Sequence, residues 1–255
     1  MPNNMISASD KRCPSCQRLY LLENGNEFCF YCEVVSEEDK KIGEEAFSWV
    51  EKREVIELLE KFKTKSLMNR DLEEATFETY KPVNESQKIA YQKCLRYVET
   101  FDGRKGLILQ GKPGLGKSHL ASSIAKKLIQ SKYTCIFISL PRLLTELQGT
   151  YNKKSDTSEL ELLTAIQKAD LLILDDLGAE RTQKDDEGNT WARRKIFEVV
   201  DSRIGSATVY TTNYSGAELL KMYGERDFSR MVQNCEAIKL DGENYRISKF
   251  KEGSS

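Results

Sequence analysis

Eight residues, Gly111 to Ser118, read GKPGLGKS and restrict the fold of this chain more than any other stretch. They fit G-x-x-x-x-G-K-[ST], a loop that cradles the phosphates of a nucleotide. Gly111, Gly114 and Gly116 allow the backbone to aim its N–H groups at an anion, with Lys112, Pro113 and Leu115 between them. Lys117 has the reach for the β- and γ-phosphates, and the Ser118 hydroxyl can ligate Mg²⁺. Before the loop, Gly106-Leu-Ile-Leu-Gln110 reads as a buried strand. After it, Leu120, Ala121, Ile124, Ala125 and Leu128 share one helical face. Strand, loop and helix in that order point a helix N-terminus at the phosphates.

Downstream, apolar strands alternate with amphipathic helices, the pattern of a parallel α/β sheet covered on both faces. Tyr133 to Leu140 is one such strand, and Pro141 opens a helix through Leu143, Leu144 and Leu147. A polar break contains Tyr151, Lys153 and Lys154, either a contact for single-stranded nucleic acid or a plain exposed loop. A second helix is predicted with Leu160, Leu163 and Ile166 inward. Leu171-Leu-Ile-Leu-Asp175-Asp176 is the next strand, and its carboxylates emerge at the edge where α/β proteins bind ligands. Asp175 suits Mg²⁺, largely through its water shell, and Asp176 suits the orientation of an attacking water. Glu180 is a reserve base or, as the plainer alternative, a surface carboxylate. Residues 181–190 read as a loop, and a helix follows from Trp191 to Ile204. Ile196, Phe197, Val199 and Val200 are expected inward on it, with Arg193, Arg194, Lys195 and Arg203 outside. Ala207 to Thr212 is a strand ending at Asn213, whose amide can bond the γ-phosphate or merely cap a turn. Arg226 and Arg230 share a helical face, fit for a neighbouring subunit's γ-phosphate or for surface ion pairs. Cys235 to Ser248 suggests a strand and a hairpin about Asp241-Gly242.

The front of the chain is different. Cys13-Pro-Ser-Cys16 and Cys29-Phe-Tyr-Cys32 are two knuckles spaced to present four thiolates to one Zn²⁺; two disulfides or a redox pair are the rival readings. Residues 17–22 and 27–28, joined by Asn24-Gly25, read as a hairpin between the knuckles. So small a module has little core, and metal would supply its folding free energy. Cys94, Cys135 and Cys235 read as buried thiols. From Ser36 the chain is rich in charge, with Ala46, Trp49, Val50, Ile56, Leu59 and Phe62 at roughly helical spacing: a solvated spacer or a partner-docking stripe. A net charge of −1 leaves nucleic-acid contact to local patches. No signal peptide opens the sequence and no apolar run approaches the ~20 residues that span a bilayer, so a reducing cytoplasm and no membrane association are expected.

The strand and phosphate loop, LLILDD, TTN and ERDFSR resemble, in this order, the AAA+ ATPases. Within them the chain is most similar to replicative helicase loaders of the DnaC/DnaI type, with IstB-type transposition ATPases as near relatives. The lead-in Phe77-Glu-Thr-Tyr80, GKPGLGKSHLA, DDLGAE and ERDFSRM carry the likeness from about Thr76 to Ile247. The cysteine ribbon resembles the metal-binding front end of DnaI-type loaders, which engages the helicase. The resemblance implies a P-loop NTPase core with a parallel sheet; the chain departs from it in that little sequence follows Arg230, too little for the full helical lid of larger AAA+ proteins. It implies residues 1–35 as zinc ribbon, 36–75 as helical linker and possible helicase-binding region, 76–250 as ATPase domain and 251–255 as disordered tail. ATP and Mg²⁺ are its implied cofactors beside Zn²⁺. Asn213 becomes a sensor of the γ-phosphate, Arg230 a finger reaching into a neighbouring copy, and Arg226 part of that subunit contact. His119, following the loop, is counted with the nucleotide-binding residues, with packing its alternative. The implied partners are a DnaB-type helicase, single-stranded DNA and further copies of the chain in the ATP state. Asp176 stands where many AAA+ proteins carry Glu, which implies slow hydrolysis, stimulated by DNA or partner. Target selection in transposition, a small-molecule kinase and a nucleotide-gated scaffold are the competing functions.

Overall fold

A computed structural model describes residues 7–43, 53, 70–152, 158–180, 186–245 and 247. It divides into two compact units, Met1–Glu54 and Val55–Ser255, a boundary that falls inside the expected linker. The predicted stripe of Ala46, Trp49, Val50, Ile56, Leu59 and Phe62, together with Lys153, Lys154 and the 251–255 tail, lies outside the described residues.

In the first unit β1 (Ser7–Arg12), β2 (Leu19–Glu23) and β3 (Asn26–Phe28) form an antiparallel sheet in that order. The predicted hairpin is β2–β3. Asn24 at φ 52° and Gly25 at φ 85° make the tight turn that matches strand twist. β1 was not anticipated, because Ser-Ala-Ser-Asp-Lys-Arg lacks an apolar alternation; its pairing with β2 (Ser7 to Leu22, Ala8 to Leu21) defines it. A wide helical turn, Phe30–Val35, follows, and the backbone stays helical over 36–43.

The second unit is a parallel five-stranded sheet in the order β5-β6-β7-β4-β8, comprising β4 (Gly106–Gln110), β5 (Cys135–Ser139), β6 (Leu171–Leu177), β7 (Thr208–Thr212) and β8 (Cys235–Lys239). Alternate residues of each strand serve opposite layers. Leu107, Leu109, Phe137, Ile173 and Val209 pack beneath α1 (Glu85–Glu99) and α2 (Lys117–Gln130). Ile108, Ile136, Ile138, Leu172, Leu174 and Tyr210 pack against α3 (Leu140–Gly149), α4 (Glu159–Lys168), α5 (Asp186–Ser202), α6 (Gly216–Tyr223) and α7 (Glu225–Val232). Asn84 caps α1 as its sequence position suggests, accepting from the Gln87 N–H at 2.9 Å.

Four expectations are corrected. Leu160 is 75% exposed and Leu162 is buried in its place, so α4 presents a face rotated from the predicted one. Helix α5 begins at Asp186, ahead of Trp191, and Phe197 on it is only half-buried. Arg203 is 3% exposed instead of outside, its guanidinium donating to the carbonyls of Ile166, Gln167, Ala169 and Ala207. Asp241-Gly242 forms no hairpin among the described residues: β8 is a parallel edge strand on β4, and the chain then returns toward the phosphate loop. Among the described residues no helix is long and apolar enough to cross a membrane.

Candidate functional site

The phosphate loop joins the C-terminal end of β4 to the first turn of α2. Gly114 and Gly116 sit at φ 78° and 83°, a region that L-residues rarely enter. At Gly116 a Cβ would also fall 2.5 Å from the Tyr80 ring, so backbone and lead-in both require glycine. Helix α2 has no side chain capping its N-terminus, which leaves its positive end to a ligand. Lys117, only 5% exposed, begins this helix and directs Nζ back across the loop. It donates to Gly111 O at 2.7 Å, Lys112 O at 2.9 Å and Asn213 Oδ1 at 2.7 Å. The loop's ammonium and the residue closing β7 therefore meet, which sequence distance alone does not reveal.

Opposite stands the end of β6. The Asp175 carboxylate is buried; burial pushes its pKa up, while the Thr211 hydroxyl, donating at 2.6 Å, and a bond from Ser118 favour the charged form. The hydroxyl of Ser118 and the carboxylate of Asp175 are thus already adjacent, a pair of hard oxygens that fits Mg²⁺ with water completing its shell. The β6–β7 ladder shifts register between Leu174 and Leu177. Within that bulge Asp176 adopts φ 59°, its N–H donating to Thr211 Oγ1 at 3.0 Å. Asp175, Asp176, Asn213, Ser118 and the loop from Pro113 onward line one cleft of about 1230 Å³.

His119 lines this cleft as well, but its Nε2 is engaged with Thr76 O at 2.8 Å and Thr79 Oγ1 at 3.2 Å, and its ring packs edge-on to Tyr80. It anchors the lead-in. Glu180 is tied by the Gly178 N–H at 2.9 Å and by the Tyr223 hydroxyl, so both its oxygens are engaged in holding the turn after β6. Arg226 and Arg230 are not among the cleft's lining residues. They lie on α7 with both guanidiniums near the Phe197 ring, at 5.1 and 5.0 Å, and Arg230 pairs with Asp201. Tyr151 bonds the Trp191 indole N–H at 3.4 Å and remains exposed.

Sequence reasoning did not single out Thr211, Val83, Gln87 or Tyr245. Thr211 could have been found, since alternate residues of a strand share a face and Asn213 follows it by two. The other three reach the cleft through long-range packing.

In the first unit the Sγ atoms of Cys13, Cys16, Cys29 and Cys32 all lie within 4.8 Å of one another. Cys13 and Cys32 are 3.8 Å apart, Cys16 and Cys29 3.4 Å. Zinc bonds of about 2.3 Å to four thiolates at tetrahedral corners separate the sulfurs by about 3.8 Å, so the cluster fits that ion. Bonds from the Cys16 and Ser15 backbone bring the Cys13 pKa down to about 6, whereas a bond from Cys16, and then burial, push that of Cys32 up to about 12, so the cluster holds one ready thiolate among thiols. No disulfide is formed; all seven cysteines are free.

Comparison with known proteins agrees with this geometry. The family described as IstB-like ATP binding protein matches residues 37–253. The replicative helicase loader DnaC of Escherichia coli K12 is 31% identical over 221 residues, covering 81% of this chain and 87% of the relative. The crystal structure of a DnaC helicase loader superposes with a TM-score of 0.60 at 28% identity, over 68% of this chain and all of that one. A DnaI structure gives 0.53 at 26% identity, over 69% and 93%. AMPPCP-bound DnaA from Aquifex aeolicus, 19% identical with a TM-score of 0.54, shares the fold. The parallel sheet with its phosphate loop is thus an AAA+ P-loop NTPase core, and the chain belongs to the family of IstB-like ATP binding proteins.

Proposed function

We propose that this chain is a cytoplasmic, ATP-dependent loader of a DnaB-type replicative helicase, which it helps to place on single-stranded DNA. The observation behind this reading is the convergence of Lys117, Ser118, Asp175, Asp176 and Asn213 on one cleft, in a chain that shares 31% identity with a helicase loader. The loop N–H groups and Lys117 would hold the β- and γ-phosphates, and Ser118 and Asp175 would hold Mg²⁺, which supplies charge neutralisation there. Asp176 orients the attacking water and accepts its proton; Asn213 fixes the γ-phosphate side. Arg230, with Arg226 beside it, serves the site of a neighbouring copy, so the ATP state is an oligomer and hydrolysis dissolves it. In this reading residues 1–35 form a zinc ribbon, 36–75 a linker that contacts the helicase, and 76–250 the ATPase.

The test is capture of purified helicase by wild-type and Lys117→Ala protein, with and without Mg-ATP, followed by transfer onto a single-stranded oligonucleotide. Wild type should bind Mg-ATP and transfer helicase in a nucleotide-dependent way, and Lys117→Ala should lose nucleotide binding by more than about a hundredfold. A wild-type protein that holds no ATP, or transfers helicase equally without it, overturns the reading. The IstB family match favours a second one, target selection in transposition. That function would appear in the same assay as ATP-dependent filaments on duplex DNA with no helicase present.

A further inference from the structure

The lining of the cleft is mixed in character. Lys117, Asp175, Asp176 and Asn213 make part of it charged and polar, and Tyr80, Val83, Pro113 and Tyr245 contribute large side chains to the same lining. The path of the chain after β8 explains how Tyr245 arrives there. Leu240 N–H donates to Gln110 O at 2.7 Å, Asp241 N–H to Ser86 Oγ at 2.9 Å, and Asn84 Nδ2 to Asp241 O at 2.8 Å. The returning chain is thereby fastened to the N-terminus of α1 and to the start of the loop. Tyr245 N–H then donates to Gly114 O at 3.1 Å, and the Asn244 carboxamide presses so closely on Gly114 that a Cβ there would lie 2.0 Å from its oxygen. The backbone of Tyr245 is fixed to the phosphate loop, yet the residue is 58% exposed, and Val83 in the same cleft is 68% exposed.

Two large side chains stand open to water beside a phosphate cradle, and a phosphate supplies no apolar partner for them. An aromatic face with a held backbone binds a flat heterocycle at little entropic cost, and the base of a nucleotide is such a group. We propose that Tyr245 stacks on the purine of a nucleoside triphosphate, Val83 completes the apolar contact, and the returning segment does for the base what the loop does for the phosphates. This rests on the reading of the cleft as a nucleotide site.

Calorimetric titration of the full chain with Mg-ATP and with Mg-tripolyphosphate, which has no base, tests it in wild type, Tyr245→Ala and Tyr245→Phe. Tyr245→Ala should weaken ATP about tenfold while tripolyphosphate stays within about twofold, and Tyr245→Phe, which keeps the ring, should match wild type for both. Unchanged ATP affinity in Tyr245→Ala overturns the stacking and leaves the phosphate site intact. An equal loss for both ligands also overturns it, showing that the segment only supports Gly114. A wild-type protein that binds tripolyphosphate but gains nothing from the base does the same. Wild type that binds neither ligand removes the nucleotide reading itself, and the stacking with it.

Discussion

Arg203 has a buried guanidinium answered by four backbone carbonyls and, among the described residues, by no carboxylate within bonding distance. Burial lowers its pKa to about 10, so it remains charged at neutral pH and functions as a rivet between the end of α4, the start of β6 and the start of β7. Arg203→Ala should cost about 3 kcal/mol in urea denaturation, because the carbonyls lose their donors together; Arg203→Lys should recover only part, lacking the planar fork. The sequence placed this residue outside, as a cation at the end of an amphipathic helix ordinarily is. Three of its four acceptors, the carbonyls of Ile166, Gln167 and Ala169, lie far back in the chain, and only Ala207 is near in sequence. The phosphate-loop residues were legible for the opposite reason. Their chemistry depends on near neighbours in the chain, as do the paired carboxylates of β6 and the two cysteine knuckles.

The lead-in between Leu72 and Tyr80 behaves as a strap buckled to one face of α2. Lys126 Nζ donates to Leu72 O at 2.7 Å, Glu73 O at 2.6 Å and Ala75 O at 2.8 Å, using the three protons of its ammonium. Ser122 Oγ donates to Leu72 O at 3.2 Å, His119 meets Thr76 O, and the Tyr80 hydroxyl donates to Leu115 O at 3.2 Å. His119, Ser122 and Lys126 recur at helical spacing, so one stripe of the phosphate-loop helix grips the whole segment. Replacing Lys126 by Met should raise amide exchange over residues 72–80 about tenfold, the equivalent of 1–2 kcal/mol of lost bonding, with Mg-ATP affinity little changed. Protection unaltered by the substitution would show that the other three contacts suffice. Elements were read well from periodicity where they bury continuous apolar runs, as β4, β5 and β6 do. They were read poorly where identity is conferred by a partner: β1 is a strand because β2 pairs with it, and residues 240–245 follow the loop because Ser86, Asn84 and Gly114 bond them.

Two units with separate sources of stability make separate predictions. On the proposed zinc reading of the cysteine cluster, a chelator should unfold the first unit, seen as loss of its far-UV signal and release of about one metal per chain, with Mg-ATP affinity of the second unit preserved. Across copies, Arg230→Ala should bind ATP and fail to hydrolyse it. Asp201→Ala, which removes the carboxylate now holding Arg230, should bring half-maximal ATPase at a protein concentration a few-fold lower. A rise in the required concentration would mean that Asp201 positions the arginine instead of restraining it. The ammonium of Lys117 donates to three acceptors that all belong to the protein, Gly111 O, Lys112 O and Asn213 Oδ1. Ligand entry is therefore an exchange of partners: a lone orthophosphate must evict carbonyls with little to offer in return, whereas a metal-bound triphosphate replaces them all. Millimolar phosphate should thus compete weakly for the cleft. On the proposed reading of the cleft, the same exchange would release the Asn213 carboxamide, so the end of β7 would register arrival before any bond in the nucleotide is broken.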